Sequence, residues 1–297
     1  MSSSFGSGHV PLHSTHQDHQ ELAALEADLL SAVGGRDLFE EKLRGFFRAA
    51  IDEVIDTART QRFFFHELEK TEKTYLGTKF EILLRDWLQV PRGVRLDLQI
   101  GGREVDVKST TGGGSGWMIP PEAVDQFCVL LRVNEVAAKC AVGLVKTRRE
   151  YLRLGANRDA KTSFSASGTS NIWWLVSDFA YTANFWTQID DALRHKIMSS
   201  GKGTKRLAAL FENCLGMSIS RVQVAAVAAQ DDYMKRLRKN GGARDILARK
   251  GIAVLYGAYD RALMHQLGLK VGYREFVSYR PKSDSEARLL RGAGKIE

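Results

Sequence analysis

The sequence predicts a two-domain chain of the α/β (α+β) class: a mixed sheet flanked by helices, then a smaller helical module ending in a β-hairpin. Three observations carry this. Apolar residues first recur at three- and four-residue steps and later gather into short continuous runs, the change from helix to buried strand. A Gly101-Gly102 pair between two β-type runs has the composition of a two-residue hairpin turn. The last third of the chain carries its own charge: residues 201–297 hold 19 Lys+Arg and 9 Asp+Glu, a net of +10, whereas residues 1–200 hold 24 and 26. A length of 297 residues suffices for two cores.

Residues 1–20 are rich in Ser, Gly and His, the composition of a disordered tail. His9, His13, His16 and His19 offer at most an adventitious metal site. The first domain is expected over 21–200. Helical patterns run over 21–33 and 36–59, the second with Leu38, Leu43, Phe46, Phe47, Ile51, Val54 and Ile55 on one stripe. A third helix runs from about Lys73 to Leu88 around Phe80, Leu83, Leu84 and Trp87, with Glu81 at the edge of that stripe. The hairpin follows over 95–108. A Gly-rich loop, 111–116, leads to two buried strands, Phe127 to Val133 and Cys140 to Val145. Residues 146–186 have weak periodicity; Trp173, Trp174 and Trp186 fit a core or an interface. A helix is expected near 187–199.

Ser199-Ser200-Gly201-Lys202-Gly203 has linker composition, and a second domain is expected over 201–297. Leu207, Leu210 and Phe211 mark a first helix. Ser220 is placed to cap a second, and a third runs from Asp231 toward Gly241-Gly242. Residues 252–256 and 275–279 are strand-like. Helices followed by a β-hairpin describe a winged helix-turn-helix, with Lys235, Arg236, Arg238 and Lys239 on or beside the groove-facing helix and Arg244 just beyond. A basic module of this kind carries the electrostatic footprint of nucleic-acid binding. Solvation alone also accounts for such a charged helix face.

No apolar run reaches membrane-spanning length, and no charged stretch followed by an apolar one marks a secretory signal. Cys128, Cys140 and Cys214 are odd in number and lack metal-ligand spacing, as in a reducing cytoplasm.

The hairpin holds the chemistry. With the turn at Gly101-Gly102, Ile100 faces Arg103, Gln99 faces Glu104, Leu98 faces Val105, and Asp97 faces Asp106. Two carboxylates directly opposite repel each other. A divalent cation converts that conflict into a site, because hard cations take oxygen ligands from several carboxylates. Lys108, two residues past Asp106, projects from the same face. Two acids and a lysine around a metal are the parts needed to hydrolyse a phosphodiester. A surface hairpin with scattered charges is the plainer reading of the spacing alone. Asp159-Ala160-Lys161 is a competing acid-x-Lys, and Arg148, Arg149, Arg153, Arg158 and Lys161 are further candidates for phosphate contacts.

With both halves in view, the chain resembles the NaeI family of type II restriction endonucleases. The resemblance rests on the segment Lys70-Thr71-Glu72-Lys73-Thr74-Tyr75-Leu76-Gly77-Thr78-Lys79-Phe80-Glu81-Ile82, on Val105-Asp106-Val107-Lys108, and on Gly116-Trp117-Met118-Ile119-Pro120-Pro121-Glu122. It continues through Gly143-Leu144-Val145-Lys146, the 156–159 segment, 227–236 and Gly241-Gly242-Ala243-Arg244. It implies a nuclease domain of the PD-(D/E)xK type and a winged-helix domain like that of catabolite activator protein. Carried onto this chain, it implies Glu81, Asp97 and Asp106 as metal-site carboxylates and Lys108 as the catalytic lysine. Leu96 stands where the fold's name has proline. The family further implies homodimers that cut a short GC-rich palindrome while a second DNA copy binds the C-terminal domain as effector.

The sequence thus reads as a Mg²⁺-dependent endonuclease of double-stranded DNA from a bacterial restriction system. It is expected to be cytoplasmic and to dimerise through the N-terminal domain. Mg²⁺ suits the acids because no His or Cys accompanies them. A repair or nicking nuclease of the same fold is the alternative within the class, and a non-catalytic winged-helix regulator the alternative outside it.

Overall fold

The computed structural model describes residues 8–111, 114–155 and 157–297. It is a mixed α/β protein whose contacts divide into two compact units. One takes in the chain up to Val54 and Phe65–Asn184; the other takes in Ile55–Phe64 and Phe185–Glu297.

In the first unit, α1 (His19–Ala32) and α2 (Arg36–Ile55) are joined by Gly34 and Gly35, both at positive φ. The buried stripe of α2 runs through Phe39, Leu43, Phe46, Phe47, Ile51 and Val54; Leu38, expected on it, is half exposed. The helical pattern predicted to continue to residue 59 breaks at Asp56, whose φ is +50°. Beyond the break lies α3 (Thr57–Thr60), which belongs to the other unit. Next comes α4 (Lys70–Leu88), opened by a capping box between Glu69 and Glu72. Phe80 on α4 packs edge-on against Phe47 and stacks beside Phe46, so α2 and α4 share an aromatic core.

The sheet has the order β1-β2-β3-β4-β5. Its strands are β1 (Leu98–Ile100), β2 (Arg103–Thr111), β3 (Phe127–Asn134), β4 (Lys139–Lys146) and β5 (Trp173–Ala180). Only β2 and β3 run parallel, so the sheet is mixed as expected. The connection between them holds a short turn at Pro121–Ala123 and buries Trp117 and Ile119. β5 lies in the stretch that reads as weakly periodic. Its burial is irregular, and the β4–β5 ladder shifts register near Val142, so no clean alternation marks it.

The N-terminal segment is not free where it is described. Val10 bridges Trp174 and covers the edge of β5. His16 meets Asn171, and buried Asp18 pairs with Arg148 and accepts a hydrogen bond from Tyr151. These contacts replace the disordered tail expected over 8–20; residues 1–7 lie outside the described residues. No group of metal-ligating side chains forms around its histidines among the described residues.

The second unit holds α5 (Asp191–Ser199), α6 (Thr204–Asn213), β6 (Ile219–Ser220), α7 (Arg221–Ala228), α8 (Tyr233–Leu237), α9 (Ala243–Arg249), β7 (Ala253–Tyr256), α10 (Arg261–Gln266), β8 (Glu275–Tyr279) and α11 (Asp284–Gly292). β6, β8 and β7 form an antiparallel sheet in that order. Ser220 caps α7 as predicted, its hydroxyl accepting from the Val222 N–H, with Gln223 completing a capping box. Phe185, Trp186 and Ile197 join the core built on Leu207, Leu210 and Phe211, and Phe63 and Phe64 pack against it. The boundary in the contact pattern is therefore at 184/185, not 200/201. The Ser199–Gly203 stretch is a tight turn between packed helices α5 and α6, not a linker.

Candidate active site

The hairpin adopts the predicted register: Leu98 pairs with Val105, Gln99 with Glu104 and Ile100 with Arg103. Gly101 and Gly102 have φ of +54° and +76°, the left-handed pair that a type I′ turn requires. The turn thereby fixes which residues face each other one step beyond the ladder, at Asp97 and Asp106.

The two carboxylates avoid direct repulsion by different means. Asp97 Oδ2 accepts a hydrogen bond of 2.8 Å from the Val107 N–H, which ties it to β2. Asp106 is only 4 % exposed, and its Oδ2 lies 2.7 Å from Lys108 Nζ. That ammonium is 3.9 Å from Asp97 Oδ2 and donates to the Val107 carbonyl at 3.0 Å. Asp106 and Lys108 thus form a close ion pair on one face of β2. Burial opposes the charge on Lys108, but Asp106 beside it outweighs burial and holds the ammonium above its usual pKa. Cys128 pairs with Asp106 across the β2–β3 ladder, and burial pushes its thiol up.

Glu81 comes from α4, which packs on β2. A Cβ at Gly77, one turn earlier on the same helix, would meet Ser109 Oγ at 3.2 Å, so glycine permits this close approach. Burial, then the charges of Asp97 and Asp106, raise the Glu81 carboxyl to about 7, with Lys108 and Arg85 pulling the other way. Burial likewise raises Asp106 to about 6, partly offset by Lys108. Near neutral pH this leaves Glu81 about half-protonated and Asp106 mostly ionised.

Among the described residues, no three His, Cys, Asp or Glu side chains stand close enough to hold an ion as they are. Lys108 serves as counter-ion instead. The residues nonetheless fit a hard cation, because every donor among Glu81, Asp97 and Asp106 is a carboxylate oxygen.

A pH dependence follows. Because both carboxyls titrate above their ordinary values, the folded chain binds these protons more tightly than the unfolded chain does. Their contribution is fully present below the ordinary carboxylate range and is lost as pH rises through about 6 for Asp106 and about 7 for Glu81. In EDTA, the urea midpoint of the wild type relative to Asp106→Asn should fall between pH 5 and pH 8. Mg²⁺ at pH 8 should restore it. A difference between the two proteins that does not change with pH counts against this account.

Sequence reasoning missed Glu104. Its carboxylate accepts hydrogen bonds from the backbone N–H groups of Val94, Arg95 and Leu96, at 2.7, 3.0 and 2.8 Å. Those bonds lower its pKa and fix the irregular segment that delivers Asp97. No periodicity marks such a clamp; only its place opposite Gln99 hints at it. Glu104→Ala should slow cleavage by up to about 10²-fold at saturating DNA, as displacement of a reacting group can cost, and Glu104→Gln should recover part of the loss. An unchanged rate in Glu104→Ala removes the clamp from consideration.

The other predicted residues do not converge here. Lys161 is exposed in a turn organised by Asn157, whose Oδ1 accepts from the Asp159 and Lys161 N–H groups, and it makes no ion pair among the described residues. The basic set of the second unit divides. Arg236 pairs with Asp232, and exposed Lys239 donates to the Gly294 carbonyl. Lys235 and Arg238 are exposed, and Arg244 is half-buried at the start of α9.

Two sequence comparisons bear on the family of the chain. The family described as restriction endonuclease NaeI matches residues 30–288. The type II restriction enzyme NaeI of Lentzea aerocolonigenes is 35 % identical over 239 residues, which cover 78 % of this chain and 75 % of that protein.

Proposed function

The chain belongs to the NaeI family of restriction endonucleases and is a type II, site-specific deoxyribonuclease, and from that premise we propose how its residues divide the work. Asp97, Asp106 and Glu81 would hold Mg²⁺. When bound, the ion supplies positive charge for the scissile phosphate and lowers the pKa of water. Lys108 keeps its proton beside Asp106 and turns it toward the charge that develops on phosphate oxygens. Val107 orients Asp97 through its N–H. Water attacks phosphorus in line, the P–O3′ bond breaks, and the 3′ oxygen takes up a proton. The observation that carries this reading is the convergence of Asp97, Asp106 and Lys108 at a Gly-Gly hairpin, with Asp106 buried. A nuclease domain of the PD-(D/E)xK type over the first unit is part of the proposal.

The second unit is proposed as a winged-helix DNA-binding domain. Its order supports this: α6, β6, α7 and α9, then β7 and β8, with β6-β8-β7 as the small sheet. In that order α9 takes the place of the groove-facing helix and carries Arg244. Lys235 and Arg238, exposed on and just after α8, and Lys161 in the first unit remain candidates for phosphate contacts.

A palindromic target requires two nuclease units related by a two-fold axis, so a homodimer through the first unit is proposed, acting on a short GC-rich site in the bacterial cytoplasm. The second unit would then hold a second DNA copy. In Mg²⁺, a plasmid with one recognition site should be cut slowly, and a short duplex carrying that site should accelerate it, because the duplex favours the cleavage-competent state. No cleavage of any plasmid in Mg²⁺ sinks the catalytic proposal. Equal rates on one-site and two-site plasmids, unchanged by the duplex, sink the effector part alone.

A further inference from the structure

The second unit contains a cavity of about 180 Å³ that the nuclease chemistry does not use. Its floor is apolar and aromatic. Leu237 and Phe276 are buried, and the Tyr256 ring stacks on Phe276 with centroids 4.5 Å apart. Its rim is cationic: Arg221, Arg238 and Arg244 line it together with Tyr259. The Arg221 guanidinium lies over the Tyr256 ring at 5.5 Å. The Tyr259 ring lies 5.5 Å from that of Tyr256 and is 86 % exposed.

These three guanidiniums differ from other cations of the unit. Arg236, Lys250 and Lys295 pair with Asp232, Glu212 and Asp260. Arg221, Arg238 and Arg244 make no ion pair among the described residues, and no carboxylate lines the cavity. Arg244 Nε is buried without a hydrogen-bond partner. Asp260 draws on Arg244 electrostatically but is already engaged by Lys295 Nζ at 2.6 Å and by the Tyr256 N–H at 2.8 Å.

The lining states what would fill it. Guanidinium groups offer only donors, so the occupant is rich in acceptors. Aromatic faces beside cations favour a flat ring. The volume lies below the roughly 300 Å³ at which sites for drug-sized ligands begin, so the occupant is one small group. A nucleotide combines a flat base, an acceptor edge and flanking phosphates. We propose that this cavity receives a single unpaired nucleotide of the DNA held by the second unit. Its base lies on the exposed ring of Tyr259, its acceptor edge faces Arg244, and its neighbouring phosphates meet Arg221 and Arg238. Guanine, with N7 and O6 as paired acceptors, suits an arginine best. The proposal rests on the reading of the second unit as a DNA-binding domain.

An unpaired nucleotide spares the protein the cost of unstacking a base. The test therefore compares three labelled duplexes of one arbitrary sequence, bound by the full-length protein in EDTA: fully paired, with a one-residue abasic bulge, and with a one-guanine bulge. The guanine bulge should bind at least tenfold tighter than the abasic bulge, which bends the duplex alike but carries no base. Arg244→Gln should bring that ratio close to one. So should Tyr259→Ala, whose ring is too exposed for its loss to disturb folding. Equal affinity for the two bulges, or a preference that survives both substitutions, overturns the cavity assignment. A wild type that binds none of the duplexes overturns the DNA-binding reading of the unit instead. Loss of the preference on adding free dGMP at micromolar concentration gives the cavity to free nucleotides and overturns the DNA source.

Discussion

Asp106→Ala should abolish cleavage while leaving DNA binding intact or stronger. The substitution deletes the most buried of the three gathered carboxylates. With it goes the counter-charge that holds Lys108 at 2.7 Å, so the ammonium loses its position as well as its neighbour. Removal of one preorganised electrostatic group in an active site costs about 10²–10³ in rate. Here one change disturbs the cation site and the lysine together, so the loss should exceed that range. Binding should not suffer, because a negative charge beside a phosphate is being removed. Some stability should be lost, because the substitution leaves the Lys108 ammonium without its close partner. Single-turnover rates in Mg²⁺, with gel-shift affinities in Ca²⁺, give both readouts. A variant that cuts near the wild-type rate would falsify the placement of the site.

Lys108→Ala should lower the chemical step by about 10²–10³ at saturating DNA, the usual cost of one lost charge-stabilising group. Lys161→Ala should do something different. That side chain is exposed and unpaired among the described residues, so its loss should weaken binding and reduce the salt slope by about one. The contrast separates the two acid-x-Lys segments of the chain. If the two lysines exchange behaviour, the chemistry lies on the loop of Asn157 and not on the hairpin.

The core of the candidate site was legible because a two-residue glycine turn leaves no freedom of register. Once Gly101 and Gly102 are placed, every facing pair through Asp97 and Asp106 follows, and Lys108 follows from strand alternation. Glu81 was legible as a carboxylate bordering a helical stripe. The support of Asp97 was not. The Val107 N–H and the Glu104 carboxylate act on an irregular segment, and contacts between side chain and backbone leave no periodic trace. The cavity of the second unit was half legible. Arg238 and Arg244 lie in or near a basic run, but Arg221, Tyr256 and Tyr259 come from distant positions that only the fold assembles. The break at Asp56 was invisible because apolar spacing continues to its very edge, and a left-handed residue there is a tertiary choice.

That break has a consequence for how the chain is made. Residues 55–64 leave the ribosome between two stretches of the first unit, yet their partners, from Phe185 onward, are synthesised more than a hundred residues later. The decapeptide must wait, with Phe63 and Phe64 uncovered, while the sheet of the first unit is completed. Neither unit can therefore be clipped out by one proteolytic cut or one truncation. A fragment beginning at 204 would lack Phe63, Phe64, Phe185, Trp186 and Ile197 from its core. The same threading closes a route open to most two-part enzymes. A recombination event that exchanged the basic module for another would have to carry off ten residues from within the sequence of the first unit as well. The two parts of this protein are bound to be inherited together.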